Sequence, residues 1–566
     1  MYSKISILLL LAFMSISSMA QTVRNNYPNF QSPKRETRAV WLTTFANLDW
    51  PKTYATSPEN IERQKQELIT LLDQYQQANI NTVLLQTRVR AATIYPSAIE
   101  PWDKCITGKE GKAPSNGYDP LKFVVDECHK RGMAIHAWIA SMPAGSKRSL
   151  GARMLVQKGF KLRYLSTGAY LNPADSQVPN YLAQICGEVV RNYDVDGIHL
   201  DYIRYPDGWS SPTGRYGDTR DNRRTQITNI VRAIHDQVKA IKPWVKMSCS
   251  PIGKYADLNH YSSKNYNGRD RLSQESQEWL RQGLMDQLYP MQYFRGTNYY
   301  PFLADWEENK HAKEIVSGIG TYFLDPREGN WKLNEVKRQM NVSRDLGIGH
   351  AHFRSAFLTN NKQGILDFEQ QFNAYPALPQ ALESKQQTVA APSYCKDNDL
   401  IMSEDSNTKQ LAWEGISPYY NIYASKTFPV DITKAENMVY AKFSGKMLTL
   451  KNPYQQHNIH YAITAIDRFD NESIALQERS RTTASAHSVM LSNDGITLEL
   501  PCKMVAFKAR YYTVETLQGN IVRQLSGTLK GNTVSIIGLP NGMYKLKAMY
   551  PHSKFASNIG FFFVNN

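Results

Sequence analysis

Between Arg38 and Tyr375 short apolar runs alternate with longer amphipathic stretches. The runs predict strands at 39–43, 82–86, 134–138, 197–201, 246–249, 287–291, 315–319 and 349–353. Between them apolar residues recur at three- and four-residue spacing, which predicts helices such as 59–78, 120–131, 179–193, 222–242, 273–283 and 334–346. This alternation predicts an α/β fold, a (β/α)8 TIM-type barrel. An open doubly wound sheet would want a glycine-rich phosphate loop after its first strand, and none is present.

After Tyr375 the pattern changes. Residues 376–394 set Pro376, Pro379 and Pro392 among polar residues and predict a linker. Beyond it, Leu411-Ala412-Trp413, Tyr420-Asn421-Ile422-Tyr423 and 460–467 alternate at period two, as half-buried strands do. Turn signals at 518–520, 530–532 and 540–542 divide further short strands. The expected organisation is a barrel over 37–375, a linker over 376–394, and two small all-β sandwich domains over 395–483 and 486–566. The first of these resembles a fibronectin type III domain, with the three alternating runs as its strands B, C and F.

The N-terminus reads as a secretory signal peptide over 1–20: Lys4, an apolar run at 5–13, then Ser18-Met19-Ala20 before Gln21. The run is too short to span a bilayer, and no cysteine follows the cleavage point. The expectation is an exported protein of the periplasm or outer surface, without membrane insertion. The 6 cysteines form no C-x-x-C pair, which argues against zinc ribbons and thioredoxin-like chemistry. Cys128 and Cys186 fall in helical patterns and are expected as core thiols. A net charge of +15 suits anionic surfaces such as a cell wall. The basic residues are scattered and no nucleic-acid-binding motif occurs, so nucleic acid is not an expected partner.

In such barrels the reacting groups lie at the C-terminal ends of the strands. Along 197–201 side chains alternate, so Ile198 and Leu200 face the helices while Gly197, His199 and Asp201 face inward, with Asp201 at the strand's end. A carboxylate there is costly unless paired or used. Arg204 is placed to pair with it, and a purely structural Asp–Arg bridge is the alternative.

These residues also carry a family resemblance. The run Asp194-Val195-Asp196-Gly197-Ile198-His199-Leu200-Asp201-Tyr202-Ile203-Arg204-Tyr205-Pro206 resembles the signature of glycosyl hydrolase-like family ten. Further segments match in the same order: Arg38-Ala39-Val40-Trp41 with Asn47-Leu48-Asp49-Trp50-Pro51, His136-Ala137-Trp138, Tyr170-Leu171-Asn172-Pro173, Ser250-Pro251-Ile252-Gly253, Gln274-Glu275, and Tyr289-Pro290-Met291-Gln292-Tyr293. The resemblance implies a (β/α)8 glycoside hydrolase of the bacterial envelope, and peptidoglycan glycan strands stripped of peptide as its substrate. A more distant similarity to the chitinase signature places Ile203 where that pattern has its acidic glutamate, which argues against the chitinase mechanism and puts more weight on Asp201.

Glycosidic cleavage ordinarily uses two carboxyl groups. Asp201 is the first. Glu275, after the fifth strand, is the expected second; Asp49, Glu100 and Asp103 are rivals, and Asp286 reads as structural. His199, Arg204, Gln86, Arg88, His136, Asn172, Gln292, Tyr293, Tyr322 and His352 are expected to bind substrate, as is Asp49, with Trp41, Trp50 and Trp138 stacking on sugar faces. No metal-ligand spacing is seen, so neither metal nor other cofactor is expected. The reading is an exported glycosidase acting on a peptidoglycan-type or related amino-sugar glycan; a non-catalytic glycan-binding barrel with attached β-sandwiches is the alternative.

Overall fold

Eight short strands close the barrel of the computed structural model: β1 (Arg38–Leu42), β2 (Thr82–Arg88), β3 (Ala134–Ala140), β4 (Gly197–Asp201), β5 (Lys246–Cys249), β6 (Gln287–Leu288), β7 (Glu314–Ile319) and β8 (Gly349–His352). Each pairs in parallel with the next, and β8 returns to β1 with His350 opposite Arg38. The (β/α)8 expectation holds. The structure describes residues 32–382, 388–395, 399–404, 408–451, 459–478, 490–491, 497–500, 509–526, 533–551 and 556–564, so the signal-peptide segment 1–20 lies outside the described residues. Strand β6 is shorter than the alternation predicts and stops at Leu288; Pro290 has no N–H to give a ladder, and its carbonyl accepts from Gly318 N.

The layer around the barrel contains α1 (Pro58–Gln77), α2 (Pro120–Lys130), α3 (Val178–Asn192), α4 (Arg220–Ile241), α5 (Ser276–Arg281), α6 (Tyr300–Glu308), α7 (Leu333–Asp345) and α8 (Ile365–Phe372). Several start where the sequence supplies a cap. Ser57 accepts from Asn60 N ahead of Pro58, Asp119 from Lys122 N ahead of Pro120, and Thr219 from Asn222 N. In α1 the buried set Ile61, Gln64, Leu68, Leu72 and Tyr75 forms one stripe against the sheet. No described helix is long and apolar enough to cross a membrane.

Strand parity sorts the barrel core into two shells. Val40, Leu42, Val83, Leu85, Ile135, Ala137, Ile139, Ile198, Leu200, Met247 and Leu288 belong to the large cluster beneath the helices. Ala39, Trp41, Leu84, Trp138, Tyr289, Val316 and Ala351 form a separate cluster inside the barrel. At Gly197 a side chain is excluded, because a Cβ there would lie 2.5 Å from His136 Nδ1. The glycine thus makes room for the imidazole of its register partner on the adjacent strand β3.

The chain forms two compact units, one ending at Gln477 and one beginning at Glu478. Beyond Tyr375 the described residues of the first unit include seven strands: β9 (Ile401–Glu404), β10 (Thr408–Ala412), β11 (Tyr419–Ser425), β12 (Met438–Phe443), β13 (Met447–Lys451), β14 (His460–Ile466) and β15 (Leu476–Gln477). They form sheets of order β9-β10-β13 and β12-β11-β14-β15. This domain is fastened to the N-terminal ends of the barrel strands. Lys246 Nζ, from β5, and Lys442 Nζ, from β12, reach the two oxygens of Asp470 at 2.7 and 2.9 Å. Asp196, just before β4, accepts from His129 Nε2 and Ile135 N, each at 2.9 Å, and lies 3.7 Å from Lys442. Arg468 pairs with Asp194 at 2.8 Å. The segment expected as a linker takes part: Leu378 is buried with Tyr419, Tyr423 and Ile466.

The second unit has its own core of Leu498, Tyr512, Val514, Leu546 and Ile559. Its strands β16 (Met490–Leu491), β17 (Thr497–Glu499), β18 (Tyr511–Thr516), β19 (Ile521–Ser526), β20 (Thr533–Ser535), β21 (Gly542–Met549) and β22 (Ser557–Val564) form sheets β16-β17-β20 and β19-β18-β21-β22.

Candidate active site

Asp201 ends β4 with its side chain turned to the barrel mouth. Trp138 Nε1 donates to Oδ2 at 3.2 Å, Tyr202 N donates to Oδ1 at 2.7 Å, and Arg204 Nη1 stands 3.9 Å from Oδ1. The residue is only 6% exposed. Burial raises its pKa above the ordinary aspartate range, against the opposing influence of Arg204, the Tyr202 N–H and Trp138. Tyr202, next in the chain, takes the left-handed region at φ 51, rare for a residue of its bulk. Its ring stays partly exposed, and Arg204 lies over it at 4.6 Å. Tyr293 faces Asp201 and Tyr202 from the other side; its ring meets Tyr322 at 5.6 Å and stacks on Phe353 at 5.4 Å.

Beneath Asp201 the interior is polar but closed. Trp41 Nε1 donates to His199 Nε2 at 3.2 Å, which leaves the ring proton on Nδ1, 3.0 Å from Ser248 Oγ. Ser248 in turn donates to Ile198 O and lies 3.3 Å from His136 Nδ1. Both histidines are buried. Burial lowers the His136 pKa to about 3 and takes that of His199 well below the usual range, with His136 adding to the effect. They are neutral floor residues, and Trp41 packs among them and Tyr289.

Other expected binders divide between the mouth and elsewhere. Gln86 lines a cleft of about 130 Å³ together with Phe45, Arg90, Tyr170 and Tyr202, while its Oε1 accepts from Thr44 N and Phe45 N. Asn172 shapes a turn, accepting from Ala174 N. Arg88 follows a register shift in β2 and is wholly buried; it pairs with Glu100 at 2.7 Å and donates to the carbonyls of Ala140 and Ser141. Trp50 is buried against α1, donating to Gln64 O. Gln292 accepts from Ser317 Oγ in the helix-facing shell. His352 also faces outward: its Nε2 meets Glu369 at 3.1 Å and its Nδ1 meets Thr321 Oγ1 at 2.7 Å.

The carboxylates differ in their engagements. Asp49 holds Arg354 Nη1, Ala356 N and Thr43 N. Glu100 holds Arg88 and the Tyr181 hydroxyl. Asp103 caps a short helix through Cys105 N. Asp286 accepts from Lys239 Nζ and Met247 N, at the start of β6. Glu275 precedes α5 and pairs with Arg224 of α4 at 3.1 Å; Arg269, Glu278 and Asp221 also act on it, all from the helix layer. Asp207 is a residue the alternation argument passed over. It lies 3.6 Å from Nη2 of the Arg204 guanidinium, which also approaches Asp201. Its signal in the sequence was the three-residue step that also separates Asp201 from Arg204.

Among the described residues, His350, His352 and Glu369 form the group able to hold a metal ion, with ligand atoms within 4.8 Å of one another. The ligand atoms bond among themselves, His350 Nε2 to Glu369 at 2.7 Å, and Asn373 Nδ2 adds a donor at 2.6 Å. The trio ties β8 to α8 outside the barrel and does not reach the mouth.

A closed parallel barrel with a buried acid at a strand's C-terminal end is the architecture on which (β/α)8 enzymes build their active sites. The chain belongs to the Glycosyl hydrolase-like 10 family, whose model matches residues 36–325. It is similar to Glycosyl hydrolase YngK of Bacillus subtilis, 29% identical over 79% of this chain and 94% of the relative. It is also similar to Glycosyl hydrolase DigH of Escherichia coli K12, 29% identical over 55% of this chain and 81% of the relative. Among solved structures, an endo-beta-1,4-mannanase from Thermotoga petrophila superimposes with a TM-score of 0.38 at 9% identity, covering 79% of this chain and 98% of that one.

Proposed function

We propose that this protein is exported and hydrolyses a bacterial cell-wall glycan, a peptidoglycan-type strand stripped of peptide or a related amino-sugar polymer, with Asp201 as the proton donor. The observation that carries the reading is the state of Asp201. A carboxyl group whose pKa burial has raised keeps its proton to higher pH than an exposed one, as a general acid must. The aromatic rings of Tyr202, Tyr293 and Tyr322 around the mouth suit the C–H faces of sugar rings, while Trp138, in the interior cluster, is buried beside Asp201. The sequence points to Glu275 for the second carboxylate, but its pairing with Arg224 at 3.1 Å gives it a partner of its own, and the domain over 395–483 is read as fibronectin type III-like.

The test is incubation of the full chain with purified peptide-free glycan strands and with intact peptidoglycan, with released fragments read by mass spectrometry. The parent releases fragments, and Asp201→Asn, folded to the same melting temperature, loses at least about 100-fold in rate. An Asp201→Asn variant within tenfold of the parent removes Asp201 from the mechanism. Binding without release across these glycans supports the non-catalytic barrel instead.

A further inference from the structure

We propose that Asp207 is the second carboxylate of this site and acts as the base that activates water. The inference rests on the glycosidase reading and names its missing partner. The loop after β4 sets Asp201, Arg204 and Asp207 at three-residue steps, and one guanidinium is shared by the two carboxylates, 3.9 Å from Asp201 and 3.6 Å from Asp207. Arg204 is 5% exposed, and neither its Nε nor its Nη1 has a hydrogen-bond partner among the described residues. Buried donors left open cost free energy unless something completes them. Here they belong to the guanidinium that approaches both carboxylates, where a sugar hydroxyl or the attacking water would complete them.

The two carboxylates have opposite surroundings. Asp201 is buried, whereas the Asp207 side chain is 49% exposed. Asp207 faces Tyr266 and Tyr202, both partly exposed, so aromatic surface flanks it on the solvent side. Contrasting environments for a pair of carboxylates are how glycosidases divide acid from base. Asp207 stands 3.6 Å from its guanidinium, whereas the other candidates hold theirs more closely: Asp49 on Arg354, Glu100 on Arg88 at 2.7 Å, Glu275 on Arg224 at 3.1 Å.

The step balances with no other reactant. Water attacks the anomeric carbon and gives a proton to Asp207, the glycosidic C–O bond breaks, and the leaving oxygen takes the proton of Asp201. Both carboxyl groups then exchange with solvent to restore their starting states. A single displacement of this kind inverts the anomeric centre.

The experiment uses the full chain on a glycan the parent cleaves, comparing parent, Asp207→Ala and Asp207→Asn, with thermal melts confirming that each is folded. Asp207→Ala is expected to lose at least about 100-fold in kcat with KM within about threefold. Added azide is expected to restore turnover to Asp207→Ala and to release a glycosyl azide, and NMR of the parent's product shows the inverted anomer first. If both folded variants keep kcat within about fivefold of the parent, or if the parent's product is the retained anomer, the assignment of Asp207 as base is overturned. If the parent releases nothing from any glycan tested, the glycosidase reading falls and takes this inference with it; cleavage by the parent with active Asp207 variants overturns this inference alone.

Discussion

Trp138 and Asp201 sit on adjacent strands, and the indole N–H of the first donates to the carboxyl oxygen of the second at 3.2 Å. The bond favours the ionised form, so it opposes burial and holds the Asp201 pKa lower than burial alone would set it. With Asp201 as acid, activity falls on the alkaline side as its proton is lost. Trp138→Phe removes the donor, and the alkaline limb of kcat/KM is expected to move up by about one pH unit, the equivalent of one hydrogen bond to a charged group. A pH–rate profile of parent and variant measures it; a limb that stays in place or moves down would show that Trp138 does not tune the acid.

At the opposite end of the barrel Asp470 is buried between Lys246 and Lys442. Burial pushes its pKa up, but the two lysines reverse this and hold it below the ordinary range. A depressed carboxylate contributes stability that is complete above the unfolded-state value of about 3.9 and is lost as pH falls through the folded-state value. Asp470→Asn leaves two buried lysines short of a counter-charge and is expected to destabilise the protein by about 3–5 kcal/mol at neutral pH. Denaturant titrations across pH check this: the gap between parent and variant should narrow as pH drops below about 4, and a gap that is small at pH 7 would count against a stabilising joint.

The same joint sets where the chain tolerates shortening. A protein ending at Gln477 keeps the whole first unit and is expected to melt cooperatively with the parent's midpoint for that unit. One ending at Tyr375 loses Leu378, Lys442, Arg468 and Asp470, leaving Lys246, Asp194 and Asp196 without these partners. It is expected to be insoluble or to melt well below the parent. Calorimetry on the two truncations decides it, and a stable, cooperative barrel from the shorter chain would refute the joint.

Much of the barrel was legible because parity and periodicity are local. Ile198 and Leu200 against His199 and Asp201 read directly as two faces of one strand. The same rule, carried one strand-end further, separates Tyr293 from Gln292 and Phe353 from His352. Polar character alone groups Gln292, Tyr293 and His352, and the structure turns Gln292 and His352 to the helices. Arg88 lies beyond a bulge in β2, where counting from Thr82 loses its meaning. The Lys246–Asp470 pair joins residues 224 positions apart, a relationship no local pattern carries. Asp207 was hidden differently: it stands in a loop, where side-chain direction follows from contacts with Arg204 and not from any period.

The neutral imidazole of His199, fixed by Trp41 above one nitrogen and Ser248 below the other, has a consequence for proton traffic. With its pKa far below neutrality the ring does not shuttle charge along the barrel axis. A floor of neutral imidazoles offers Asp201 no charged donor from below, so the open side is the expected route by which its proton returns. Recharging of the acid is therefore tied to clearance of the mouth, and whatever occupies the mouth governs how soon the next proton arrives.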